Sequence, residues 1–186
     1  VSRFEAIDLR LSGLKRIERQ SRGDARGALS RLFCTEEFFD MGWHKPVAQI
    51  NQTVTLRRGT VRGMHFQWPP CAEMKLVSCL QGAIFDVAVD IRKDSPTFMQ
   101  WHAEELSANN RRALLIPEGF AHGFQTLSDN CELIYLHSAP YSADAESGLN
   151  PHDPSLAITW PLVVSELSDR DAEQPFVDPT FEGVSL

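Results

Sequence analysis

Hydrophobic and polar positions alternate along this chain in short runs. Ile7, Leu9 and Leu11 alternate, which predicts an N-terminal strand. Residues 21–27 are rich in Gly and Asp and read as a turn, and residues 29–33 as a further strand. Thr35-Glu36-Glu37 reads as a helix start, with Thr35 as N-cap and acids in the first turn. Residues 47–56 alternate as a strand with Gln49 and Asn51 on one face. The apolar runs 75–80 and 83–90 flank Gln81-Gly82, which predicts a tight hairpin. Within the second run Phe85, Val87 and Val89 share one face, and Ile84, Asp86, Ala88 and Asp90 the other. Residues 101–106 and 112–116 read as strands around Asn109-Asn110, and Pro117-Glu118-Gly119 as a turn leading to His122. Residues 132–137 form a strand with Leu133, Tyr135 and His137 on one face. After Ala139, prolines interrupt any long element. Residues 167–173 can form a short helix capped by Ser168, and residues 178–186 read as a loose tail. Short strands between turns spaced by about 8–12 residues predict an all-β barrel or sandwich with a few short helices.

Composition narrows the class. With 186 residues, 42% hydrophobic and 23% charged, the chain suits one domain with a sizeable core. It has no apolar run long enough for a membrane-spanning helix. The first residues, Val1-Ser2-Arg3-Phe4-Glu5, lack the apolar stretch of a signal peptide, so a cytoplasmic location is expected. The net charge of −7 argues against a nucleic-acid partner, which needs a broad basic face. It leaves room for a small anion held by a few local cations. Cys34, Cys71, Cys79 and Cys131 are widely spaced without a Cys-x-x-Cys pair and read as reduced, partly buried thiols.

The chemistry concentrates between Arg58 and Lys75. Arg58, Arg62, His65 and Lys75 sit in apolar, β-prone sequence, and buried cations are costly without a partner or an anionic ligand. A metal centre is disfavoured, because His65 is followed by Phe66-Gln67 and a His-x-His pair is missing. Acid–base chemistry fits better. His65 could be a general base while Arg62 and Lys75 stabilise an oxyanion. A carboxylate would have to orient the imidazole, and Asp86, Asp90 and Asp171 are candidates. Tyr135 offers a proton donor if it points into the barrel. Taken singly, each residue has a plainer role: His65 a satisfied core histidine, Tyr135 a strand aromatic, His122 a backbone-bonded loop residue, and Trp68, Trp101 and Trp160 core or interface. Arg62 and His65 are separated by an odd number of residues, so a regular strand would send them to opposite faces. A bulge at Gly63 could realign them; otherwise one of them faces another pocket or a subunit contact.

These segments also resemble a known family. Arg62-Gly63-Met64-His65-Phe66-Gln67, Lys75-Leu76-Val77 and Phe85-Asp86-Val87-Ala88-Val89-Asp90-Ile91-Arg92 are similar to the dTDP-4-dehydrorhamnose 3,5-epimerase family. So are Ser95-Pro96-Thr97-Phe98, Ile116-Pro117-Glu118-Gly119-Phe120-Ala121-His122-Gly123-Phe124 and Leu167-Ser168-Asp169-Arg170-Asp171. The likeness implies a cupin-type β-barrel, or jelly roll, forming one domain over residues 1–186. Its core would span about residues 23–165, and residues 166–186 would contribute Asp171. It implies a metal-independent, cofactor-free isomerase of deoxysugar biosynthesis. The substrate would be a nucleotide-diphosphate 4-keto-6-deoxysugar, and the protein a homodimer exchanging N-terminal strands. By the same likeness His65 is the base, Asp171 its partner, Tyr135 the acid, and Lys75 the support for the enolate, with His122 nearby. Arg26, Gln49, Asn51 and Arg62 correspond to substrate contacts, Tyr141 to the residue stacking on the base, and Glu146 and Arg170 to further binding positions. Arg31 stands where the family commonly has Glu, and Leu136 where it has Lys. A tryptophan common near Asn150-Pro151-His152-Asp153-Pro154 is missing. These departures keep open a single-carbon epimerase, or a barrel that binds a nucleotide sugar without turnover.

Overall fold

The computed structural model describes residues 2–186. Its strands, in chain order, are β1 (Phe4–Asp8), β2 (Lys15–Arg19), β3 (Ser21–Asp24) and β4 (Gly27–Ser30). Helix α1 (Thr35–Asp40) follows. Next come β5 (Gln49–Thr55), β6 (Val61–Gln67), β7 (Lys75–Gln81), β8 (Ala83–Asp90) and β9 (Trp101–Ser107). The chain closes with β10 (Arg112–Ile116), β11 (Phe120–Thr126), β12 (Cys131–His137), β13 (Glu146–Gly148) and helix α2 (Asp169–Ala172). Two antiparallel sheets carry the fold, ordered β1-β2-β10-β7-β12-β5 and β13-β6-β11-β8-β9. A separate hairpin pairs β3 with β4. The all-β expectation is met.

The period-2 alternation sorts the apolar residues into three layers. Between the sheets lie Val77, Ile84, Ala88, Leu114, Phe120, Phe124, Leu133 and Tyr135. On the outer face of the five-stranded sheet, Met64, Phe66, Val87, Val89 and Ala121 pack under the C-terminal segment. Outside the other sheet, Leu76, Ala113, Leu115 and Leu136 pack against Phe38 and Trp43. Leu136, where the resemblance implies a lysine, is thus an apolar residue in the layer under α1. The predicted faces of β8 are observed, with Val87 and Val89 outward and Ile84 and Ala88 inward.

Several local expectations are corrected. Gln81-Gly82 does not turn a hairpin: β7 pairs with β10 and β12, whereas β8 pairs with β9 and β11. Gly82, at φ 77°, carries the chain from one sheet to the other. The sequence signals of a hairpin and of such a corner are alike, and distant partners decide between them. The N-terminal strand ends at Asp8. Leu11 and Leu14 lie in the turn beyond it, buried against the inter-sheet layer instead of along a strand face. Residues 21–27 are a hairpin rather than a plain turn, and its second strand stops at Ser30. The N-cap of α1 is Cys34, without a side-chain cap, and Thr35 is already helical. The tail is not loose, because Val184 is buried and exchanges backbone hydrogen bonds with Ile91 and Lys93. All four cysteines are free thiols, with Cys79 and Cys131 buried. Burial pushes the Cys79 thiol up to about 12. Among the described residues, no helix is long and apolar enough to cross a membrane.

Candidate active site

A cavity of about 910 Å³ opens between the two sheets. Strand β6 brings Arg62 and His65 to it, β7 Lys75, β11 His122, and β12 Tyr135 and His137. Helix α2 and the segment before it supply Ser168, Arg170 and Asp171. A smaller recess of about 200 Å³ shares Asn51, His65, Lys75 and His137 with the cavity, and reaches Gln49, Glu73, Tyr141 and Glu146.

The bulge that realigns Arg62 and His65 is present. Arg62 lies opposite Phe124 and His65 opposite His122, so three steps along β6 face two along β11. Gly63 has φ 123°, and a Cβ there would stand 2.5 Å from the Gly123 Cα and 2.7 Å from the His122 carbonyl oxygen. Only glycine fits both the conformation and the contact.

His65 and Asp171 form a pair from opposite ends of the chain, with Nε2 and Oδ1 2.7 Å apart. Ser168 caps α2 as expected, its Oγ accepting from the Asp171 N–H at 3.1 Å. The Gly63 N–H donates to Asp171 Oδ2 at 3.2 Å. Burial works against the Asp171 carboxylate. The hydrogen bond and charge of His65, then the bonds from Gly63 and Ser168, outweigh it and hold the pKa below the usual range. With Nε2 on the carboxylate, His65 turns Nδ1 free as its basic nitrogen.

Asp86 serves His122 rather than His65, with Nε2 and Oδ1 again 2.7 Å apart. Burial pushes the Asp86 pKa up, partly offset by His122 and by Lys75. Asp90 is engaged elsewhere, by Arg92, Ser95 and Thr97. Tyr135 sits on the opposite sheet from His65, its ring 5.9 Å from that of His122. Burial and then the Asp86 charge raise its pKa, so it remains a protonated phenol.

Lys75, 8% exposed, donates to the His65 carbonyl at 3.3 Å and pairs with Glu73 at 3.2 Å. Glu73 also accepts from His137 Nδ1 at 2.9 Å. Burial tends to raise the Glu73 pKa, but His137 and Lys75 bring it below the ordinary value. Sequence reasoning assigned neither Glu73 nor His137 a role. A signal existed for His137, which shares a strand face with Tyr135, whereas nothing local marked Glu73.

The binding candidates divide. Gln49, Asn51, Tyr141 and Glu146 line the recess, and Arg62 and Arg170 the cavity. The Tyr141 hydroxyl donates to Glu146 at 2.7 Å, and Arg170 pairs with the same carboxylate. Arg26 is not brought to the site. It lies at the tip of the β3–β4 hairpin, its side chain 90% exposed and paired with Asp24. Arg31, at the family's Glu position, pairs with Glu37.

The chain matches the family profile described as dTDP-4-dehydrorhamnose 3,5-epimerase over residues 8–178. It is 42% identical over 168 residues to a dTDP-4-dehydrorhamnose 3,5-epimerase of Sinorhizobium fredii, covering 90% of this chain and 86% of that one. It is 40% identical over 166 residues to a dTDP-4-dehydrorhamnose 3-epimerase of Streptomyces niveus, covering 89% and 80%. The crystal structure of the dTDP-4-dehydrorhamnose 3,5-epimerase of Bacillus anthracis with TDP and PPi bound superposes with a TM-score of 0.90. That protein is 41% identical, and the match covers 94% of this chain and 99% of the other. The matched span runs from the end of β1 through α2 and so includes both the bulged strand and the helix that carries Asp171. The chain belongs to the dTDP-4-dehydrorhamnose 3,5-epimerase family of isomerases.

Proposed function

We propose that the cavity epimerises a dTDP-linked 4-keto-6-deoxysugar at C3 and C5 through enolate intermediates. The observation that carries this reading is the His65–Asp171 pair across the cavity from Tyr135, within a chain of this family. A ketone at C4 acidifies the C–H bonds on either side, so the chemistry calls for a base, an acid and a stabilised oxyanion, and for no redox step. His65 Nδ1 takes the carbon-bound proton, and Asp171 balances the imidazolium that forms. The Lys75 ammonium and His122 face the developing enolate oxygen. Tyr135 returns a proton from the other sheet, which inverts the carbon. Solvent then removes the proton from His65 and restores the phenol, so the residues end each turn as they began.

Arg62 suits a diphosphate, and Tyr141 with Glu146 and Arg170 suits the nucleoside end near the recess. Arg26 is too far out on its hairpin to serve its own chain's cavity. In a homodimer exchanging N-terminal strands, Arg26 of a second copy would complete the mouth. The exposed Ile50 and Val54 on the edge strand β5, and Leu56 just past its end, favour such an association. Residues 1–186 would act as one catalytic unit, since Asp171 in the C-terminal segment completes the base.

Incubating the protein with dTDP-4-keto-6-deoxyglucose in D2O tests this. Proton NMR should show deuterium entering both C3 and C5. The Streptomyces niveus 3-epimerase, at 40% identity, favours a second reading in which one carbon exchanges. Deuterium at C3 alone would select it. No exchange at either carbon, from folded protein, sinks both and leaves a binding barrel.

A further inference from the structure

The wall of the recess carries a continuous run of hydrogen bonds that the proposed chemistry does not use. Its direction is set at both ends. The Tyr141 backbone N–H donates to Gln49 Oε1 at 2.9 Å. A backbone N–H can only donate, so Gln49 turns its oxygen there and its Nε2 toward Asn51. Gln49 Nε2 donates to Asn51 Oδ1 at 3.0 Å, which turns Asn51 Nδ2 toward His137. Asn51 Nδ2 approaches His137 Nε2 at 3.4 Å, the longest link. His137 Nε2 therefore accepts, and the ring proton sits on Nδ1, which donates to Glu73 Oε2 at 2.9 Å. The other Glu73 oxygen accepts from Lys75 Nζ at 3.2 Å. An ionised carboxylate can only accept, so the run begins on an obligate donor and ends on an obligate acceptor. His137 and Glu73 are 12% and 9% exposed, and Lys75 8%, so the inner links are shielded from water.

We propose that His137 and Glu73 are positioning residues. His137, locked in the Nδ1–H tautomer, ties the Lys75 ammonium through Glu73 to the Asn51–Gln49 pair beside Tyr141. An ammonium has three N–H groups. Glu73 and the His65 carbonyl take two, which leaves one for a ligand oxygen and fixes where it stands. Asn51 and Gln49, each held by one neighbour on either side, keep their remaining donors for the substrate. This role deepens the epimerase reading and rests on it for Lys75, Asn51 and Gln49 as substrate contacts.

The test has two arms. The first is a long-range proton–nitrogen NMR spectrum of protein labelled with 15N-histidine, near neutral pH and without substrate. His137→Phe identifies the His137 signals by their loss. A proton-bearing Nδ1 and a bare Nε2 are expected. The opposite tautomer, or protons on both nitrogens, overturns the proposal. The second arm is kinetics with dTDP-4-keto-6-deoxyglucose. His137→Phe keeps the bulk and removes both nitrogens, and should lower kcat/KM by about tenfold, with a rise in KM. His137→Asn, whose amide can donate to Glu73 and accept from Asn51, should recover most of that loss. The reverse order, Phe active and Asn impaired, marks a packing role and overturns the proposal. Because the spectrum needs no substrate, an inactive wild-type protein would fail the epimerase reading alone. A wrong tautomer would fail the positioning role alone.

Discussion

Two imidazole–carboxylate pairs stand side by side in this cavity and differ in their surroundings. His65 and His122 are direct partners across β6 and β11, and each places Nε2 2.7 Å from an aspartate oxygen. The Asp171 carboxylate accepts from His65 and the Gly63 N–H, while its backbone N–H donates to the capping Ser168 Oγ, and its pKa is lowered despite burial. Asp86 is fully buried, and its Oδ2 has no hydrogen-bond partner among the described residues. Burial raises its pKa. His65 is 32% exposed and His122 6%. Equal distances therefore describe two different instruments. One pair has a partly exposed imidazole and a carboxylate held ionised. The other is sealed, and its carboxylate bears on its neighbours through charge, including the raised pKa of Tyr135.

The largest effects should come from breaking the first pair. His65→Asn removes the proposed base, and Asp171→Asn removes the charge that supports its protonated form. Each should cut deuterium exchange by roughly 10²–10⁴-fold. Circular dichroism should remain native. Exchange within a factor of a few of wild type, in either variant, would mean that another group takes the proton. Asp86→Asn should cost less, on the order of tenfold, because His122 and Tyr135 would remain in place and only the charge behind them would change. A loss as large as that of Asp171→Asn would erase the proposed division between the pairs.

The sequence made one half of this comparison more legible than the other. The odd spacing of Arg62 and His65 pointed to a bulge or distortion near Gly63 if the two were to share a face, and a bulge is there. Ser168 announced the start of α2 by its side chain, so Asp171 came with a defined local setting. Choosing among Asp86, Asp90 and Asp171 as the partner of His65 was beyond local pattern. All three sit where periodicity allows a cavity-facing or buried carboxylate, and only the tertiary register assigns them. The same limit explains Gln81-Gly82, where the local signals of a hairpin served a corner between sheets. It also explains Val184, whose anchoring depends on Ile91, far away in sequence. Glu73 was silent because its two partners, Lys75 and His137, meet only when β7 pairs with β12.

Acid titration of stability should separate the pairs in sign. A lowered folded pKa, as at Asp171, gives stability that is present above the ordinary value of 3.8 and lost as pH falls through the folded value. A raised one, as at Asp86, gives stability that is present below 3.8 and lost as pH rises through the folded value. Urea unfolding of wild type, Asp171→Asn and Asp86→Asn across about pH 3 to 7 reads both. As pH drops, wild type should lose its advantage over Asp171→Asn and gain ground on Asp86→Asn. Parallel movement of the two differences would show that the carboxylates share one environment.

The smallest expected effect tests how the first pair is aimed. Ser168 lines the cavity and reaches His65 through Asp171: its Oγ receives the Asp171 N–H and fixes the first turn of α2. Ser168→Ala should cost about 1 kcal/mol of stability, the usual loss of an N-cap. Asp171 would keep its bonds to His65 and Gly63, so kcat should fall only about two- to fivefold. Ser168→Asn, which can cap as well as serine, should restore both quantities. The informative split is between them. If Asn restores stability but not kcat, the hydroxyl itself tunes the carboxylate. If both return together, the cap acts only by holding Asp171 at the angle from which one oxygen meets the imidazole and the other meets the bulge.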